Sequence, residues 1–132
     1  MVYFIALLAL AAGPEMTTIA RGPMSAITDA RQVVVRSSAE WEALWKEHGV
    51  TQPLPVVNFS KEIVAAVFLG SRPTGGFNVE ILSTRLEGDA LIVEYGERRP
   101  GRGDIVSQVL TSPFHIVRLP AHKGPVRFEK KS

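Results

Sequence analysis

Short apolar runs broken by glycine and proline dominate this chain, and one stretch alone carries a helical period. The longest apolar run of the interior is Glu62-Ile63-Val64-Ala65-Ala66-Val67-Phe68-Leu69-Gly70. Apolar on both faces, it predicts a strand in the middle of a sheet. Thr17 to Ala20 predicts a first strand, closed by Gly22-Pro23. Gln32 to Arg36 is short and β-branched, a second strand. After the two-proline loop Thr51 to Pro55, Val56 to Phe59 reads as a brief extended piece. Phe77-Asn78-Val79-Glu80-Ile81 alternates with period two, and Leu91 to Tyr95 returns after Glu87-Gly88-Asp89, which predicts a hairpin. A two-residue turn pairs Leu86 with Leu91 and leaves Ile81 facing Gly96. A three-residue turn sets Ile81 beside Tyr95 and Ser83 beside Val93, and is preferred because it gathers apolar side chains on one face. Ile105 to Thr111, Phe114 to Pro120 and Val126 to Phe128 complete the expected strands.

The helical stretch opens at Ser37, an N-cap, with Glu40 completing a capping box. Trp41, Leu44, Trp45 and His48 follow on one face, and Gly49 suits the position after the helix. The tryptophans should lie against a sheet with their indole N–H groups reaching partners at the rim of the contact. These elements predict an α+β fold. It is a mostly antiparallel β-sheet, curled into a sandwich or an open barrel, with one amphipathic helix. Residues 17–132 are expected to form one domain, as the length of 132 residues suggests.

Composition changes this picture mainly by exclusion. Hydrophobic residues are 45% and charged residues 21%, which argues against disorder. Fifteen basic and 13 acidic side chains give a net charge of +2 without a concentrated basic stripe. Arg98, Arg99 and Arg102 come nearest to one, but Glu94, Glu97 and Asp104 dilute them, so nucleic acid is not an expected partner. The absence of cysteine excludes disulfides, a thiol nucleophile, cysteine-ligated metal and a cysteine-attached lipid anchor. Val2 to Ala12 is wholly apolar but too short for a stable membrane span. Its length suits a signal-peptide core, and Ala9-Leu10-Ala11 offers a cleavage site, although a basic leader is lacking. Residues 1–13 are therefore expected to be a signal peptide or an apolar N-terminal segment. The protein is expected to be exported, whether periplasmic, at the cell surface or secreted.

Little in the chain spells out chemistry. His48, His115 and His122 lack metal-ligand spacing, and no cofactor is expected. Ser112, His115 and Asp104 have the residue types of a hydrolytic triad, but no serine sits in a nucleophile elbow. Glu94 and Glu97 read as solvated charges at a strand end. Gly75-Gly76 and Pro100-Gly101-Arg102-Gly103 do not follow the phosphate-loop pattern, and Arg102-Gly103-Asp104 is read as a turn. No enzyme is expected. The most specific local signal is Arg72-Pro73-Thr74-Gly75-Gly76-Phe77. Proline fixes φ and paired glycine permits positive φ, so the run makes a turn of defined shape. It either joins two strands and nothing more, or presents a rigid loop to a protein partner with Phe77 or Arg72 as anchor.

Four stretches together resemble the C-terminal domain family of PrcB, an accessory subunit of a bacterial surface protease complex. They are Val35-Arg36-Ser37-Ser38 with Trp41, Leu44 and Trp45; Val57-Asn58-Phe59-Ser60-Lys61-Glu62; Val67-Phe68-Leu69-Gly70 running into Arg72-Pro73-Thr74-Gly75-Gly76-Phe77; and Thr111-Ser112-Pro113-Phe114-His115-Ile116-Val117. The resemblance spans roughly Val33 to Phe128. It implies a role in protease assembly or stability rather than catalysis, and supplies no catalytic residues. Pro73-Thr74-Gly75-Gly76-Phe77 is also similar to the Pro-Thr-Thr-Gly-aromatic loop of chagasin-type cysteine-protease inhibitors, with Pro100-Gly101-Arg102-Gly103 in the place of their glycine-rich loop. The sequence thus points to a non-catalytic accessory domain that binds a protein, a protease being the candidate. Arg72, Pro73, Thr74, Gly75, Gly76, Phe77 and Arg102 are the expected contact residues. A protease inhibitor using the same loop, or a small-ligand β-domain with a pocket at Trp41, Trp45 or Tyr95, remains the alternative.

Overall fold

A computed structural model describes residues 15–132, so the expected signal segment, residues 1–13, lies outside the described residues. In chain order the elements are β1 (Thr17–Gly22), β2 (Arg31–Val35), α1 (Ser38–His48), β3 (Glu62–Phe68), β4 (Asn78–Glu87), β5 (Ala90–Arg98), β6 (Phe114–Pro120) and β7 (Val126–Lys130). They form a four-stranded sheet of order β1-β6-β3-β2 and a three-stranded sheet of order β4-β5-β7. The ladders of the larger sheet are all antiparallel. In the smaller one β4 and β5 form the expected hairpin, whereas β7 returns parallel to β5. The result is a sandwich with a helix on one outer face, not a barrel.

The apolar run of β3 accounts for the layering. Ile63, Ala65 and Val67 face the small sheet, where they meet Val79, Ile81, Leu91, Val93 and Tyr95. Val64, Ala66 and Phe68 face the other way, onto Trp41, Leu44 and Trp45 of α1. A strand between two layers has no polar face to spare, and β3 lies in the interior of its sheet as its sequence requires. Each fully buried Val, Ile or Phe here contributes roughly 1.5–3 kcal/mol relative to exposure. Among the described residues no helix or strand covers the outer face of the small sheet. There Ile92, 0% exposed, stands in register between Arg85 and Arg127, whose ion pairs with Glu87 and Glu129 lay long side chains across that face.

The helix forms where its caps place it. Ser37 is extended and its hydroxyl accepts from the Glu40 N–H. Glu40 returns to the Arg36 N–H, one residue before the position a capping box uses. Gly49 closes the helix at φ 77°, donating to the carbonyls of Trp45 and Lys46. The indole N–H groups of Trp41 and Trp45 donate to the carbonyls of Pro55 and Gln52, so the two-proline loop is pinned to the helix.

Two local expectations need correction. The hairpin turns on two residues, with Glu87 opposite Ala90 and Leu86 opposite Leu91, yet Ile81 still faces Tyr95. A register shift at Leu82 reconciles the two: one extra residue in β4 restores the apolar face that an unbulged hairpin would lose. Finally, residues 105–110 form no strand, and Thr111 makes only an isolated bridge to Arg72.

Candidate functional site

The turn at 72–77 and the loop at 98–111 pack side by side at one end of the sandwich. Arg72 and Thr111 exchange backbone hydrogen bonds of 2.8 and 2.9 Å. The Thr111 hydroxyl donates to the Thr74 carbonyl, and the Gly75 N–H donates to the Ser107 carbonyl. A side chain at Gly75 would start against the Ser107 hydroxyl. One at Gly76 would meet Val106 at 2.8 Å and Pro100 at 3.0 Å, on a backbone already at φ 88°. Gly76 is therefore required twice over, by conformation and by the close approach of the second loop, and Gly75 by the close approach alone. Gly76→Ala should destabilise the protein by about 2 kcal/mol. Gly88→Ala, at φ 61° in open space, should cost about 1 kcal/mol, the conformational part alone. Equal losses in urea unfolding would sink the packing argument.

Arg72 is an internal tether. Its guanidinium donates to both oxygens of Glu97, at 2.8 and 3.1 Å, and to the carbonyls of Leu69 and Ser71. It also stands 6.0 Å over the ring of Phe77. The Glu97 side chain is 2% exposed, so it is not the solvated edge charge its sequence suggests. Lys130 joins it at 3.0 Å. The Arg72 hydrogen bonds, with help from Lys130, hold the Glu97 carboxyl down at about 2 against its burial.

Of the expected contact residues, Pro73 and Gly76 are exposed, while Thr74, Gly75 and Phe77 are half-buried. Arg102 is exposed on the second loop, where Arg102-Gly103-Asp104 forms a turn closed by the Gly101 N–H on the Asp104 carboxylate. Between the two loops lies an open cleft of about 650 Å³, walled by Gly76, Asn78, Arg98, Arg99, Asp104, Ile105 and Val106. Sequence reasoning missed the exposed apolar residues of this second loop, of which Ile105 lines the cleft. Ile105, Val109 and Leu110 are 101%, 56% and 69% exposed. Their spacing, two apolar, two polar, two apolar, was the available signal, because it breaks the alternation of a half-buried strand.

The catalytic arrangement considered from sequence does not assemble. Both ring nitrogens of His115 are engaged, Nδ1 accepting from the Ile81 N–H at 2.8 Å and Nε2 bonded to the Thr18 hydroxyl at 2.8 Å. Neither is left for Ser112, and Asp104 is committed to its own turn. Burial, and the Arg21 cation beside it, push the imidazole down to about 4. His115 and Arg21, which donates to the Val79 carbonyl, together cover the free edge of β4 and join the two sheets. The Thr-Ser-Pro-Phe-His run is thus a structural crossing point. Its Thr111 holds the turn, Ser112 bonds Pro23 and Ser25, and the Pro113 carbonyl accepts from Leu69.

A second groove, about 430 Å³, runs beside α1 between Ile19, Met24, Trp45, Val50 and Phe114. His48 reaches it but is 1% exposed, bonded through Nδ1 to the Ser25 hydroxyl and set T-shaped against Phe114 at 4.3 Å. Burial lowers its pKa below the ordinary imidazole value. Trp41 and Tyr95 lie in the two cores instead. Among the described residues no three His, Asp or Glu side chains gather as metal ligands.

Compared with known proteins, residues 63–120 match the family model described as PrcB C-terminal. That span runs from β3 through β6 and contains both loops of the cleft. No curated protein and no solved structure matches the chain.

Proposed function

We propose, from the premise that residues 63–120 belong to the PrcB C-terminal family, that this chain is an accessory domain that binds a protein partner within a protease complex. The observation that carries the reading is the coincidence of the family segment with the paired loops and their cleft. Loops fixed by hydrogen bonds on a rigid sandwich present a surface with little entropy left to lose on binding. The role is non-catalytic, in keeping with a site whose histidine and carboxylates are spent on structure. Export is part of the proposal and is supported by the apolar run Val2 to Ala12 with Ala9-Leu10-Ala11. Cell fractionation tests it, and a cytoplasmic location would remove it.

The inhibitor alternative asks the Pro73–Phe77 loop to enter a protease cleft. That loop is instead held down on residues 107–111 and under the Arg72 guanidinium, which favours a docking face over an inserting wedge. Capture from a cell-envelope extract with the tagged full chain, followed by a protease assay, separates the readings. An accessory domain brings down a protease whose activity is preserved or raised. Stoichiometric loss of that activity would establish the inhibitor instead, and capture without any protease would remove the protease complex from the proposal.

A further inference from the structure

We infer that the 98–110 loop is the docking surface for an acidic, apolar segment of a partner protein. Carboxylates of that segment meet Arg98, Arg99 and Arg102, and its apolar side chains cover Ile105, Val109 and Leu110. The inference rests on the accessory reading for the existence of a partner, and adds where the partner binds and what its chemistry is.

Three observations support it. First, apolar exposure is concentrated here. Of the eight large hydrophobic side chains exposed among the described residues, three fall within residues 105–110, and Ile105 is fully in solvent. Exposed apolar side chains gathered in one loop mark an interaction site more often than surface leucines scattered singly do. Fifteen residues from Arg99 to Pro113 contain neither helix nor strand beyond the bridge at Thr111. Loops of that length inside compact domains are usually functional, and this one is pre-shaped by its bonds to the 72–77 turn.

Second, the local charge is more positive than the sequence suggests. Glu97 is consumed by Arg72 and Lys130 below the surface. Asp104 accepts from the Gly101 N–H at 2.6 Å. Arg98 and Arg102 have no carboxylate partner among the described residues, and Arg99 stands 3.9 Å from the already saturated Glu97 with 70% of its side chain exposed. Of the carboxylates that dilute the cluster in sequence, Glu97 is neutralised below it, while Asp104 stays on the cleft wall as one negative charge among the three arginines.

Third, the two chemistries line one concavity: Arg98 and Arg99 share the 650 Å³ cleft with Ile105 and Val106. A concave wall suits a peptide segment that places a carboxylate beside an apolar side chain. A single-stranded nucleic acid would need stacking rings, and no aromatic side chain lines the cleft.

The test is selection of displayed random dodecapeptides on the immobilised full chain, with the enriched peptides then titrated by fluorescence anisotropy. Enrichment of Asp and Glu beside Leu, Ile, Val or Phe is expected. Affinity for the best peptide should fall about tenfold or more for Arg98→Glu/Arg102→Glu, and again for Ile105→Ser/Leu110→Ser, and should weaken with added salt for the wild type. All four positions are exposed, so unchanged thermal melts should accompany these losses. Peptides without acidic residues, no enrichment, or equal affinity for wild type and both variants would overturn the inference. So would sedimentation of the wild type, but not the variants, with phosphatidylglycerol vesicles in the absence of peptide selection, because the surface would then be a membrane face. A protease captured equally by wild type and both variants would leave the accessory reading standing and this surface refuted. Acidic, apolar peptides selected in the absence of any captured protease would leave the surface standing alone.

Discussion

Arg72→Ala destabilises the protein by about 2–4 kcal/mol, because it leaves a buried carboxylate short of its main partner. The Glu97 side chain is 2% exposed and takes two hydrogen bonds from Arg72, while Lys130 supplies one more. Lys130 limits the loss but cannot replace a planar two-point donor. The same substitution removes the bonds to the Leu69 and Ser71 carbonyls and the cation over Phe77. Equilibrium urea unfolding measures the effect. The double variant Arg72→Met/Glu97→Met should recover most of it, since replacing both partners removes the charge that would otherwise be stranded. A loss below about 0.5 kcal/mol, the value of an ordinary surface pair, would show that Arg72 is free at the surface after all. Arg72 would then return as a partner anchor.

Stability should also fall steeply in mild acid, with His115 as the main cause. Its folded value of about 4 lies below the ordinary 6.5. Between those two values the unfolded chain binds a proton that the folded chain refuses, so acid favours unfolding. The contribution is fully present above pH 6.5, shrinks as pH falls, and is exhausted near pH 4. A depression of that size corresponds to about 3 kcal/mol. Protonation would put a hydrogen on Nδ1, which accepts from the Ile81 N–H, and place a cation opposite Arg21; Glu80, 3.6 Å from Arg21, offsets only part of this. His48, also lowered by burial, adds to the loss in the same direction. His115→Phe should cost about 2 kcal/mol at neutral pH by orphaning the Ile81 N–H, and should flatten the profile between pH 6.5 and 4. A variant profile as steep as the wild type would move the acid sensitivity to another group. Glu97 accounts for little of this range, because its folded value near 2 against an ordinary 4.5 places its loss mainly below pH 4.5.

Most of the fold was legible because its signals are local. The apolar run of β3 required two covering layers, and the helix announced both its ends and its buried face. The hairpin shows where local reading fails. The favoured partner of Ile81 was right and the favoured turn was wrong, because a single bulged residue at Leu82 satisfies both the short turn and the apolar face. The 105–110 stretch was read as a strand on composition, yet it joins neither sheet. β-propensity describes a fit to a partner strand, and without one the residues stay exposed.

Of the candidate site, the sequence named both loops but not the buried bond that ties Arg72 to Glu97. Arg72 and Glu97 are 25 residues apart, and nothing in their neighbourhoods distinguishes a buried pair from two solvated charges. The glycines at 75 and 76 signalled a turn, but the reason a side chain is barred there is Val106, Pro100 and Ser107, brought up from another loop. By itself, then, the sequence determined most of the elements, the layering around β3 and the turn at 72–77, since each follows from apolar spacing and backbone freedom within a few residues. Only the tertiary structure decided which charges are buried, which histidines are spent, and which apolar residues remain in solvent. Those properties depend on neighbours distant in the chain, and burial and electrostatics are set by what surrounds a group rather than by what precedes it.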